Sequence, residues 1–168
     1  MAWGSMGFAA AILAFFSLPH YRQGESSIAG KTAEDFKMEL NGKPTNLSDL
    51  RGKVVILNFW ASWCGPCVEE TPALITLQQR LAQKNGTILG VSVDEDPAAY
   101  AKFVKDQGVN FPTWNDPSAK IAKDYGSSMW PETYVIDRKG KIARKIIGPQ
   151  DWNSPEMLAY FDNLLAKN

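Results

Sequence analysis

The sequence predicts an α/β domain built on a central mixed β-sheet with helices on both faces. Three observations carry this. From Lys31 onward, strand-like segments alternate with helix-like ones. Two short apolar runs, Val54 to Trp60 (VVILNFW) and Thr87 to Val93 (TILGVSV), read as strands covered on both faces. Asp96-Pro97, Asp116-Pro117 and Ser154-Pro155 each set a capping side chain before a proline, as helix starts do.

In chain order, Phe36, Met38 and Leu40 alternate with polar residues, Asn41-Gly42 gives a tight hairpin turn, and Thr45 to Leu50 returns from it. The strand Val54 to Trp60 hands over to a helix from Gly65 to Gln83, with Leu74, Leu77 and Leu81 on one face. Asn85-Gly86 ends that helix and Thr87 to Val93 follows. The helix begun by Asp96-Pro97 carries Tyr100, Phe103 and Val104 and stops at Gly108; that begun by Ser154-Pro155 carries Leu158, Phe161 and Leu165. Between them, Thr133 to Ile136 and Lys141 to Ile147 form a hairpin around Asp137 to Gly140.

The 168 residues suffice for one ordinary domain. Lys plus Arg and Asp plus Glu are both 18, so there is no basic surplus for nucleic acid. At 45% hydrophobic residues the chain is no acidic disordered tail. Two cysteines make no disulfide-stapled miniprotein, and one histidine removes most catalytic triads and zinc sites.

Residues 1–18 read as a leader. Met6 to Leu18 carries no charge, and only Gly7 and Ser17 are not apolar. That length fits a secretion signal or short anchor better than a spanning helix or a buried core helix. No Lys or Arg precedes the run, Arg22 follows it, and a good A-x-A cleavage site is missing, which tilts the reading towards an uncleaved anchor using residues 3–18. Residues 19–30 read as a polar linker and 31–168 as the domain.

The chemistry sits at Trp63-Cys64-Gly65-Pro66-Cys67, where a strand meets a helix. A helix N-terminus carries unpaired N–H groups and a partial positive charge, so a thiolate at Cys64 is favoured there. Lowering a thiol pKa from about 8.5 to about 7 is worth roughly 2 kcal/mol. Cys67 lies one turn along, within reach of a mixed disulfide at Cys64, so the pair can cycle between dithiol and disulfide. Half a zinc site is the weaker reading, since no second C-x-x-C exists and His20 falls in the linker. A structural disulfide or two inert thiols is likewise a weak reading in this setting. No phosphate-cradling glycine motif is present, and a Cys64–Cys67 couple needs no organic cofactor.

NFWASWCGPC resembles the active-site segment of the thioredoxin fold. Pro72 matches the proline that kinks that family's active-site helix, and Met129-Trp130-Pro131-Glu132-Thr133 resembles its cis-proline loop. The resemblance implies that Pro131 is cis, lies against the thiols, and borders the substrate together with Trp63, Gly65, Pro66 and Trp130. The chain is most similar to the membrane-anchored TlpA/ResA/CcmG group. The leader, the strand pair before VVILNFW with its LSDLRGK, and an inserted helical segment from Pro97 to Thr113 carry that likeness. What it implies is an extracytoplasmic reductase of protein disulfides, such as those of apocytochromes c or copper-site proteins, with a membrane reductase as electron donor.

Two departures stand out. Thioredoxin has a buried aspartate where this chain has Asn58, which cannot accept a proton. The resemblance assigns the proton of Cys67 to Glu95, at the end of Val91-Ser-Val-Asp-Glu95, against the plainer reading of a solvated residue near a helix cap. Trp130 is larger than the residues common before the cis-proline, which implies a narrowed or aromatic-selective groove, or else packing against Trp63 or Trp114. Two other functions remain open: a Cu(I) metallochaperone using both thiolates and Met129, and a peroxide-reducing relative, for which no Pro/Thr/Arg pocket is visible around Cys64.

Overall fold

The computed structural model describes residues 28–167. The apolar leader lies outside them, and among the described residues no helix is long and apolar enough to cross a membrane. Ile28 already packs on the core, and Gly30 N donates to Ile142 O at 2.8 Å.

Strands β1 (Lys37–Leu40) and β2 (Lys43–Asn46) form an antiparallel hairpin. Its turn residues Asn41 and Gly42 have φ of 54° and 73°, the left-handed pair that a two-residue turn needs to match strand twist. A 3-10 turn at Leu47–Leu50 leads into β3 (Val54–Trp60), the centre of the main sheet. The sheet order is β5-β4-β3-β6-β7. Strands β4 (Gly86–Ser92) and β5 (Thr113–Asn115) run parallel to β3, whereas β6 (Glu132–Ile136) and β7 (Ile142–Ile147) are antiparallel.

Every residue of β3 is buried because both faces of the sheet are covered. On one face Val54 and Ile56 meet Leu74, Leu77 and Leu81 of α1 (Gly65–Ala82) and Met157, Phe161 and Leu165 of α4 (Pro155–Ala166). On the other, Val55, Leu57 and Phe59 meet Met38 and Leu47 from the hairpin side, and Ile121 and Ala122 of α3 (Lys120–Asp124). Each buried Leu or Phe of these stripes contributes about 1.5–3 kcal/mol. Arg138, in the β6–β7 turn, donates to Lys84 O at 3.3 Å and Leu165 O at 2.9 Å, so one cation serves the carbonyl ends of both α1 and α4.

Two segments differ from the sequence expectation. Asp96 and Ser154 cap α2 (Pro97–Asp106) and α4, but Asp116-Pro117 does not open a helix. The Asp116 carboxylate instead accepts from Ser118 Oγ at 2.7 Å and Ile121 N at 2.7 Å. The chain turns through Ala119, at φ 51°, and α3 starts only at Lys120. The inserted segment from Pro97 is helical to Asp106 and then runs into β5, which pairs with Gly90 to Ser92.

Candidate active site

Cys64 is the N-cap of α1, with φ −85° and ψ 104°. Its Sγ accepts from Cys67 N at 3.3 Å, the bond that a serine or threonine oxygen makes at this position. Pro66 lies in the first turn, where its missing N–H costs nothing. Cys64 and Cys67 are joined in a disulfide with S–S 2.11 Å and Cα–Cα 5.3 Å. Cys64 is 7% exposed and Cys67 only 2%, so the first sulfur lies nearer the surface. Gly65 and Pro66 between them are exposed.

The loop between β3 and α1 is tied down from β4. Buried Asp94 accepts from Ser62 N at 3.1 and 3.0 Å, from Ser62 Oγ at 2.6 Å and from Ser92 Oγ at 2.6 Å. Asn115 Nδ2 in turn donates to Asp94 O at 2.9 Å. This fixes the loop while leaving Trp63 outside, 66% exposed.

Sheet register brings a second segment alongside. Phe59 pairs with Glu132, so the residues before Glu132 adjoin those after Phe59. The Trp130–Pro131 peptide bond is cis, Pro131 is buried, and its carbonyl accepts from Gly148 N at 2.9 Å. Trp130 is half-buried, with its ring 6.5 Å from that of Phe59 and not stacked on Trp63 or Trp114. Met129, 55% exposed, and Trp63 are the large apolar side chains left outside among the described residues.

The first turns of α1 also carry a buried carboxylate. Glu70 is one turn beyond Cys67 on the buried stripe of α1 and is 5% exposed. Its Oε1 accepts from Asn58 Nδ2 at 3.2 Å; its Oε2 accepts from Trp152 Nε1 at 3.0 Å and Gln150 N at 3.2 Å. Burial disfavours the charged form more than these three bonds favour it, and the pKa rises to about 7. Asn58 Nδ2 also donates to Thr133 Oγ1 at 3.0 Å, linking the carboxylate to the strand after Pro131. A cavity of about 10 Å³, lined by Asn58, Trp60, Cys67 and Thr71 among others, lies against the inner cysteine.

The residues read from the sequence therefore separate into two groups. Trp63, Cys64, Gly65, Pro66 and Cys67 stand at the start of α1, and the β3–β6 register carries Trp130 and Pro131 to the same end of the sheet. Glu95 does not join the buried framework: it is exposed in the turn after β4, with no hydrogen bond or ion pair among the described residues. β4 ends at Ser92 and Asp94 turns inward, which leaves Glu95 in solvent. Sequence reasoning missed Glu70. Its signal was a charged residue three positions after Cys67, on the face that continues through Leu74, Leu77 and Leu81. Among the described residues no three His, Cys, Asp or Glu side chains converge as metal ligands would.

Comparison with known proteins adds an independent line. The AhpC/TSA family matches residues 29–145. Thiol-disulfide oxidoreductase ResA of Bacillus thuringiensis (strain Al Hakam) is 39% identical over 122 residues, covering 72% of this chain and 70% of that protein. ResA of Bacillus subtilis (strain 168) is 38% identical over 127 residues, covering 74% and 71%. A thiol:disulfide interchange protein DsbE from Chlorobium tepidum superposes with a TM-score of 0.77 at 29% identity, covering 82% of this chain and 98% of that one.

Proposed function

We propose, for a chain that belongs to the AhpC/TSA family and is a thiol–disulfide oxidoreductase of the ResA and DsbE kind, that its task is to reduce disulfides of extracytoplasmic proteins. Apocytochromes c and copper-site proteins are the substrate classes the reading names, and a membrane reductase returns the electrons. The leader read at residues 1–18 supports an extracytoplasmic site of action. The observation that carries the chemistry is Cys67 N aimed at Cys64 Sγ at the start of α1.

In the reduced protein the Cys64 thiolate attacks one sulfur of the substrate disulfide. An S–S bond forms to Cys64 and the substrate's other sulfur leaves as thiolate. Cys67, deprotonated, then attacks Cys64 Sγ. The Cys64–Cys67 disulfide forms, the second substrate sulfur leaves, and two electrons have passed to the substrate. The helix N-terminus and the Cys67 N–H favour negative charge on Cys64 as the attacking group.

Cys67 needs a proton acceptor within the protein, because solvent barely reaches it. Glu70 is the acceptor this reading assigns to its proton. It lies one helical turn away, and a pKa of about 7 divides it between acid and base at neutral pH. Glu95 is exposed and makes no hydrogen bond or ion pair among the described residues. The pH–rate profile for oxidation of the reduced protein separates the two. Glu70→Gln should lose an inflection near pH 7 that Glu95→Gln keeps; the converse would return the role to Glu95.

The reaction itself is tested by trapping and by potential. Cys67→Ser should accumulate a mixed disulfide between Cys64 and a cysteine-containing peptide, and Cys64→Ser should not. Equilibration of the wild-type couple against dithiothreitol should give a reducing potential, and a value as oxidising as about −120 mV would contradict a reductase.

A further inference from the structure

Behind the cis-proline loop, on the sheet face away from Glu70, lies a second buried carboxylate. Adjacent residues of a strand point to opposite faces. Thr133 accepts from Asn58, which also donates to Glu70, whereas Glu132 points the other way, towards Tyr134 and Ser127. Glu132 is 3% exposed. Its Oε1 accepts from Ser127 Oγ at 2.6 Å, lies 2.9 Å from the Tyr134 hydroxyl, and pairs with Lys145 Nζ at 2.7 Å. Lys145 sits 5.2 Å over the Tyr134 ring, and the Tyr134 hydroxyl is 2.6 Å from Tyr125 O.

Ser127 and Glu132 bracket the four residues Ser128, Met129, Trp130 and Pro131. The carboxylate thus bonds across the base of the loop that borders Cys64. Ser127 N is itself held by Ala122 O at 2.9 Å. A buried ion pair adds little net stability over an apolar pair of the same shape, so what this one supplies is a fixed geometry for the groups around it. Removing one member leaves the other buried and uncompensated.

We propose that Glu132 is a positioning residue for polypeptide substrates: by clipping Ser127 to the start of β6, with Lys145 as counter-charge, it holds Met129-Trp130-Pro131 in the shape that receives the substrate's backbone. It acts on recognition of a peptide and not on the sulfur chemistry, because its bonds go to Ser127, Tyr134 and Lys145 and to neither cysteine. This inference rests on the oxidoreductase reading above.

The test compares two oxidants of the reduced protein: a peptide disulfide and glutathione disulfide, which is too small to use the loop fully. For Glu132→Ala the ratio of the peptide rate constant to the glutathione rate constant should fall about tenfold. Glu132→Gln should recover most of it, because its amide oxygen still accepts from Ser127. The Cys64–Cys67 potential should stay at the wild-type value. Ser127→Ala leaves the ion pair intact and should lower the ratio about threefold, so it decides the matter even if Glu132→Ala does not fold. An unchanged ratio in Ser127→Ala would overturn the inference, as would a loss in Glu132→Gln as large as in Glu132→Ala, or equal losses for both oxidants. If the wild-type protein reacted with neither disulfide, the oxidoreductase reading would fail instead.

Discussion

Replacing Glu70 with glutamine tests the burial of this acid by thermodynamics alone. In the fold the pKa of Glu70 is raised from 4.5 to about 7, because burial outweighs the bonds from Trp152, Gln150 and Asn58. The folded state therefore holds this proton over a pH range in which the unfolded chain has released it. Stability contributed by the neutral form is complete below about pH 4.5 and is lost as pH rises towards 7. The slope in that window is about −1.4 kcal/mol per pH unit, and the whole loss comes to about 3 kcal/mol. Glutamine does not titrate and keeps the shape. Urea unfolding of the oxidised proteins, wild type and Glu70→Gln, at intervals from pH 4 to 8 gives the difference directly, and other titrating groups cancel in it. Wild type should lose about 3 kcal/mol more than the variant across the window. Parallel stability curves would mean that the carboxylate ionises in the fold as it does in water, and the case for Glu70 as a base matched to neutral pH would go with them.

Two further substitutions probe the scaffold. Ala119 occupies the left-handed region at φ 51°, which costs a residue with a Cβ about 1–2 kcal/mol. Ala119→Gly relieves that and gives back about 0.4–1 kcal/mol through the freer unfolded chain, so thermal unfolding should move up by a degree or more; a lower melting temperature would show that the turn before α3 is not strained. Gly90→Ala should cost about 1–3 kcal/mol in urea, since a Cβ there would lie 3.0 Å from Trp60 Nε1 and 3.2 Å from Phe111, both lining the cavity beside Cys67. Unaltered stability would mean that Trp60 can shift freely.

What was legible in the sequence was what is local. The uniform apolar run of β3, the Asn41-Gly42 turn and the caps at Asp96 and Ser154 each act within a few residues, and each stands where the pattern put it. The thiol pair belongs to the same class, since the N-cap position alone aims an N–H at Cys64. β5 was not legible, because Thr113–Asn115 becomes a strand only through its pairing with β4. The late start of α3 was hidden by Asp116, whose side chain looks like a cap but bonds across the turn to Ile121 N. Glu70 was hidden because its donors lie 12, 80 and 82 residues away in sequence, and a glutamate within a helix otherwise reads as solvent-facing. The placement of the neighbouring acids was equally hidden: only the fold shows that Asp94 turns inward to Ser62 while Glu95 stays exposed.

Asn58 gains a different meaning from this. Taken alone it removes a proton acceptor from the strand before the thiols. In the structure its Nδ2 lies 3.2 Å from Glu70 Oε1 and 3.0 Å from Thr133 Oγ1, so the side chain donates to the acid on one side and ties to β6 on the other. An aspartate at the same place would set a second carboxylate against the first, and two such groups that close do not both ionise near neutral pH. Asparagine is therefore the residue that lets a single buried acid sit on α1 instead of β3. The acid then rides on the same helix as Cys67, one turn away, and its position relative to that sulfur is set by helix geometry and not by packing between layers.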